Sequence, residues 1–176
     1  IICTGPLVGT GAPAASRSAV MAKSPQSGLF GTSNTGHLAA MVKRAGYDNI
    51  VIKGTSDKPV YLKITNDTVE IKDARHIWGK DTLETTSLLK AELGEQYWVA
   101  AIGPAGENLV TYASILCERI GALGRTGMGA VMGSKNLKAI AIYGDKSIRV
   151  PKEHLTKFLR LSRNATTTLM ADTEAI

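Results

Sequence analysis

The stretch Val60–Asp73, VYLKITNDTVEIKD, constrains the fold most tightly. Val60, Leu62 and Ile64 alternate along one run, Val69 and Ile71 along a second, and Asn66-Asp67 lies between them. Period two is the pleat of a strand, and Asn-Asp is turn chemistry, so the stretch predicts a hairpin. Other strands are expected at Ile1–Thr4, closed by Gly5-Pro6, at Ser18–Ala22, and in NIVIKG, YWVAAIG, NLVTYASIL and LKAIAIYG. HLAAMVKRA, His37–Ala45, reads as a helix ended by Gly46. Asp81 opens a second helix: it stands at capping-box spacing from Glu84, Leu83, Leu88, Leu89 and Leu93 form a stripe, and Gly94 ends it. Pro151 opens a third, through about Arg163, with Leu155, Phe158, Leu159 and Leu161 on its apolar face. Strands and helices mix without strict β-α-β alternation, so the predicted class is α+β.

Hydrophobic residues make up 44% of the 176, enough for a sizeable core, and aromatics only 5%, so that core is aliphatic. The formal charge of +6 fits a basic surface or an anionic partner. Basic runs interleaved with aromatics, the mark of nucleic-acid binders, are missing. Cys3 and Cys117 lie far apart with no CxxC spacing, which excludes a self-contained zinc or iron–sulfur site and fits a reducing compartment. No apolar run approaches the ~18 residues of a membrane span, and no secretory signal is expected. The abrupt IICTGPLVGTGAP opening and ATTTLMADTEAI close lead us to expect a piece of something longer.

Two segments echo each other. NTGHLAAMVKRAGYDNIVIKG and RTGMGAVMGSKNLKAIAIYG both begin with a polar residue and Thr-Gly, place a Met (Met41, Met132) five residues after that Gly, and end in an apolar strand closed by Gly54 or Gly144. Upstream, Gly5-Pro6 is matched by Gly103-Pro104. Such self-similarity points to duplicated halves, although the identities are few enough for chance to compete.

Each half carries a glycine-rich loop beside arginine. Glycines let the backbone approach a ligand, free N–H groups form an anion-binding concavity, and a guanidinium offers a planar fork to phosphate or a heterocycle. Gly9, Gly11, Arg17, Asn34 and Gly36 supply these ingredients in the first half, Gly121, Gly124 and Arg125 in the second. Read from the residues alone, the loops fit either tight structural turns or the seat of a two-part anionic ligand. GTGAPAASR lacks GxGxxG and a following helix, so it is no dinucleotide fingerprint. GMGAVMGSK has the wrong spacing for a phosphate loop, and a strand follows it.

Catalytic side chains are scarce. His76 reads as a packed or surface residue, His154 as part of a solvated helix face, and His37, next to the first loop, as the best histidine for ligand contact. Glu107 and Asn108 read as loop braces and Cys117 as a small buried apolar residue. No Ser-His-Asp arrangement is legible.

GPLVGTGAPAASR, AKSPQSGL, SNTG, AGYDNIVIKG, KPVYLKI, VEIKDARHIWGKDT, AIGPAGENLV and GRTGMGAVMGSKNLKAIAI, in this order, resemble the N-terminal domain of the aldehyde ferredoxin oxidoreductase family, from Ile1 to about Gly144. The resemblance implies a duplicated mixed-sheet domain with short helices, forming the base under a tungsten (or molybdenum) bis-pterin cofactor. It implies Mg2+ bridging the pterin phosphates, a [4Fe–4S] cluster ligated outside this chain, and oxidation of aldehydes to carboxylic acids with ferredoxin as electron acceptor. Residues 1–148 would be the pterin-binding domain, lacking its first strands, and residues 149–176 the start of a helical domain.

Carried over motif by motif, Arg17 would contact a pterin near the cluster, and Asn34 and Ala122 would turn carbonyls to the magnesium. Gly36 would make a backbone contact, and Gly121, Gly124 and Arg125 would line the second pterin. Family members often have arginine where Gly121 stands; either Arg119 substitutes or one phosphate contact is missing. His37 replaces a commonly small residue. No catalytic residue is named, since the residues that polarise the substrate belong to later domains. The implied partners are ferredoxin, a small aldehyde, the downstream domains and a homo-oligomer, with no nucleic acid or membrane, in the cytoplasm. An aromatic-acyl-CoA reductase subunit and a non-catalytic anionic-ligand module stand as alternatives.

Overall fold

The computed structural model describes residues 1–118 and 120–172. Ten strands and five helices follow one another in two sheets. The strands are β1 (Ile2–Thr4), β2 (Ser18–Lys23), β3 (Phe30–Thr35), β4 (Asn49–Ile50), β5 (Val60–Thr65), β6 (Thr68–Asp73), β7 (Trp98–Ala101), β8 (Ile115–Cys117), β9 (Gly121–Leu123) and β10 (Leu137–Tyr143). The helices are α1 (Leu38–Arg44), α2 (Thr82–Leu93), α3 (Pro104–Glu107), α4 (Met128–Gly133) and α5 (Lys152–Ala171). This is the α+β class expected from the sequence.

The sheet orders explain the echo. The smaller sheet runs β3-β2-β1-β4 and is antiparallel throughout. Within the larger sheet, β6-β5-β10-β7-β8-β9, the last four strands read backwards as β9-β8-β7-β10, also antiparallel. In each half a helix, α1 or α4, joins the outer strand to the one that returns beside the first. Gly5-Pro6 follows β1 as Gly103-Pro104 follows β7. The chain thus builds one four-stranded unit twice, with β3 and β9 as equivalent edges. The β5–β6 hairpin is an addition to the second unit and pairs parallel to β10.

One core gathers Ile2, Val20, Leu38, Val42, Ile115, Leu123, Met128 and Ile140 from both units, and a second packs Leu89 of α2 and Ile77 on the other face of β7 and β10. On β10, Ile140 and Ile142 face the first core while Ala139 and Ala141 face the second, the period-two pattern of a strand covered on both sides. A register shift between Leu137 and Ala139 turns Lys138 out of that alternation. Lys138 is fully buried; its ammonium donates to the carbonyl of Lys80 and to the Glu107 carboxylate, which also accepts from the Gly79 N–H. Burial pushes the Lys138 ammonium below its ordinary value, against the upward pull of Glu107. Glu107 is the loop brace expected from the sequence.

Asp81 caps α2 in a full capping box with Glu84, as its spacing predicts. Three expected elements differ in extent, and α3, α4 and β9 are not among those expected. NIVIKG holds strand geometry only at Asn49–Ile50, and NLVTYASIL only at Ile115–Cys117, because α3 and the turn at Leu109 (φ 58°) take up the preceding chain. α5 runs on to Ala171, and none of its residues is buried, so its apolar face lies open. His154 sits on α5 and is exposed; His76 is half exposed and pairs with Glu92 at 3.3 Å.

Candidate cofactor seat at the seam of the two units

The equivalent edges β3 and β9 meet, and Asn34, Gly36, Gly121, Ala122, Gly124 and Arg125 lie on or next to them, whereas Gly9 lies against Ile148. On β3 burial alternates: Gly31, Ser33 and Thr35 face inward, Phe30, Thr32 and Asn34 outward. On β9 Leu123 is buried and Ala122 exposed. The inward residues tie the edges together. The Arg125 backbone N–H donates to Ser33 Oγ at 3.2 Å. A Cβ on Gly121 would meet Thr35 Oγ1 at 2.7 Å, so the strands approach this closely only over a glycine. Thr35 also bonds the Cys117 side chain, and burial pushes that thiol up to about 12.

Arg17 stands at the opposite margin of β3. The next residue, Ser18, pairs with Thr35 and donates its hydroxyl to the Thr35 carbonyl at 3.4 Å. The space over Gly36 opens towards the Ser16 carbonyl, 3.8 Å from where a Cβ would lie. Arg17 and Arg125 therefore flank β3 from its two sides, within a few strand widths of ~4.8 Å. Both are exposed, and among the described residues neither guanidinium has an ion pair. Asn34, Ala122 and Gly124 are exposed beside them and Gly36 is half-buried. Arg119, the candidate stand-in for the arginine lacking at Gly121, lies outside the described residues.

The bends around the seam hold strain. Ala14 (φ 55°), His37 (φ 46°), Glu118 (φ 53°) and Thr126 (φ 63°) occupy the left-handed region although none is glycine. Each costs on the order of 1–3 kcal/mol, and such positions gather where a fold must present its backbone in a fixed way. Glu118 is fastened: its carboxylate accepts from the Val99 N–H at 2.7 Å and pairs with Lys90 at 2.9 Å. No local pattern signals that anchor, since it joins residues far apart in the chain. Nor does one reveal that the His37 ring stacks on Trp98, centroids 5.6 Å apart and planes 23° from parallel.

A hollow of about 790 Å³ opens elsewhere, between the units, lined by core residues such as Ile2, Val20, Leu123 and Ile140. It is apolar, and Arg17, Asn34 and Arg125 take no part in it. The seam, with its small residues and free arginines, is the place suited to an anionic ligand.

The family model described as "Aldehyde ferredoxin oxidoreductase, N-terminal domain" matches residues 1–144. The chain belongs to the aldehyde ferredoxin oxidoreductase family. The tungsten-containing aldehyde ferredoxin oxidoreductase of Thermococcus kodakarensis is 49% identical over 174 residues, which cover 98% of this chain and 28% of the relative. That of Pyrococcus furiosus is 47% identical over the same shares. The chain thus spans little more than a quarter of the length of these relatives. An aliphatic sulfonate oxidoreductase, WOR-like subunit, of Pyrococcus furiosus is 40% identical over 158 residues, 82% of this chain and 25% of the relative. The solved active-site complex BamBC of benzoyl coenzyme A reductase with 1,5-dienoyl-CoA superposes with a TM-score of 0.92 at 42% identity, over 98% of this chain and 26% of that one.

A tungsten pterin cofactor is implied by this family. The donor set at the seam fits such a group: exposed small residues, bare backbone and two arginines without carboxylate partners suit phosphate-bearing pterins. Among the described residues no three His, Cys, Asp or Glu side chains gather to hold a metal. No helix of the described residues is long and apolar enough to cross a membrane.

Proposed function

We propose that this chain is the cofactor-seating N-terminal part of a tungsten (or molybdenum) bis-pterin oxidoreductase that oxidises aldehydes to carboxylic acids. The observation that carries this reading is the convergence of two arginine-flanked loops, one from each copy of the repeated unit, on a single exposed seam. A doubled ligand calls for a doubled seat.

In this reading the Arg17 and Arg125 guanidinium forks bind and orient the two pterins. Gly36, Gly121 and Gly124 let the backbone reach them. The main-chain carbonyls of Asn34 and Ala122 would serve a Mg2+ beside the pterin phosphates, a hard cation suited to oxygen ligands. In this reading the pterin dithiolenes would hold the redox metal, since among the described residues no three His, Cys, Asp or Glu side chains gather to hold it. When bound, the cofactor would supply the two-electron oxidation of the aldehyde, and a [4Fe–4S] cluster held by the rest of the polypeptide would be the route to ferredoxin. No residue of this chain is assigned to catalysis. Residues 1–148 form the pterin-binding domain and residues 149–176 begin a helical domain, a reading supported by the exposed apolar face of α5. In this reading the full protein works in the cytoplasm, as a homo-oligomer.

A second reading keeps the seat and changes the reaction. Its likeness to the benzoyl coenzyme A reductase complex favours an aromatic-acyl-CoA reductase subunit. The full-length protein, purified without oxygen, separates the readings. Elemental analysis should give about one tungsten (or molybdenum) with iron, ultraviolet–visible spectra a reducible iron–sulfur band, and aldehydes should reduce ferredoxin. Turnover of an aromatic acyl-CoA with none of aldehydes would support the second reading. A metal-free protein would leave only a non-catalytic anion-binding module.

A further inference from the structure

We propose that His37 is a further ligand-binding residue of the seam, its imidazole donating a hydrogen bond to a phosphate oxygen of the seated pterin cofactor; the proposal rests on the reading above. His37 directly follows Gly36 and stands three residues from Asn34. Its backbone forms a tight γ-turn: φ is 46° and ψ −51°, and the Leu38 N–H bonds the Gly36 carbonyl. That turn is strained for any side chain but glycine, so the fold keeps an imidazole where its absence would relax the chain.

The repeated unit sharpens the contrast. Aligning Thr35-Gly36 with Thr126-Gly127 sets His37 against Met128. Met128 is sealed in the core at 1% exposure, whereas His37 is exposed. The first unit thus turns outward a residue that the second turns in. The ring is not loose: it lies on Trp98, which fixes its plane. Its nitrogens have no hydrogen-bond or ion-pair partner among the described residues, and any protonation state of imidazole keeps at least one N–H to donate. Beneath it the Trp98 Nε1–H is buried and also without a partner. An imidazole held in one plane directly after Gly36, with its nitrogens unused among the described residues, suits an oxygen-rich anion.

The test uses the full-length protein produced anaerobically with tungstate. Tungsten and oxidatively released pterin are counted per chain after exhaustive dialysis in phosphate-free buffer, for His37→Gly, His37→Asn, Arg17→Ala and Arg125→Ala. Losing one hydrogen bond to a charged oxygen should cut retention in His37→Gly about tenfold. The melting temperature of the cofactor-free His37→Gly protein should stay level or rise, because glycine relaxes the turn. His37→Asn, whose amide donates and which tolerates positive φ, should keep most of the cofactor. Wild-type retention in His37→Gly, with loss in both arginine variants, overturns the role of His37 alone. Wild-type retention in all four variants overturns the reading beneath it. A His37-dependent rise in melting temperature with inorganic phosphate, at unchanged cofactor content, assigns the contact to free phosphate and also overturns the proposal.

Discussion

The Arg125 backbone N–H donates to the Ser33 hydroxyl at 3.2 Å, across 92 positions of sequence. That bond joins the first repeated unit to the loop between β9 and α4 of the second. Ser33→Ala removes the acceptor and leaves the N–H half-buried and unpaired. The expected cost is about 1 kcal/mol in chemical denaturation of the cofactor-free protein, a typical net value for one hydrogen bond. A cost near zero would mean the bond does not hold the seam.

Gly121 and Thr35 set how closely the edges approach. A methyl group at 121 meets Thr35 Oγ1 at 2.7 Å. Gly121→Ala should therefore cost about 1–3 kcal/mol, as overpacking does. Thr35→Ala in the same chain should recover part of it, a coupling that a double-mutant cycle reads directly. Strict additivity would place the two residues out of contact.

Lys138 and Glu107 form a fully buried pair. Lys138→Met strands the carboxylate and should cost about 3–5 kcal/mol. Adding Glu107→Gln should restore much of this, since the neutral amide oxygen still accepts from Gly79. Denaturation curves of the single and double variants check it; equal stabilities would contradict the brace.

Cys117 sets a pH dependence. Its folded thiol is pushed from 9 up to about 12 by burial. Between these values the folded state holds a proton that the unfolded state has released. Stability should therefore be whole below pH 9 and fall as pH rises above it, by at most about 1.4 kcal/mol per pH unit. Cys117→Ala should lack this part of the decline. In the native protein at pH 8, peptide mapping should find Cys117 untouched by iodoacetamide. Rapid alkylation would contradict its burial.

Local physics was readable from the sequence. The hairpin at Val60–Asp73, the capping box of Asp81 and Glu84, and the helix ended by Gly46 all follow from neighbours within a few residues. The class and the echo were readable too, yet the echo became a duplication only when both sheet orders were seen to match. Apolar runs misled where they were not strands: the chain at Leu109 turns, and α5 outlasts its expected end. At the seam, glycines, arginines and Asn34 announced themselves by type. The Thr35–Gly121 approach, the Glu118 anchor and the Trp98 shelf beneath His37 did not, because each is a contact between residues remote in sequence.

Cofactor content in arginine variants tests the central claim most directly. In full-length protein grown with tungstate, Arg17→Ala and Arg125→Ala should each lower tungsten and pterin per chain, and together should nearly abolish them. The melting temperature of the cofactor-free protein should not change, since both side chains are exposed and free of ion pairs within the described residues. A double variant that keeps wild-type tungsten and pterin would contradict the account.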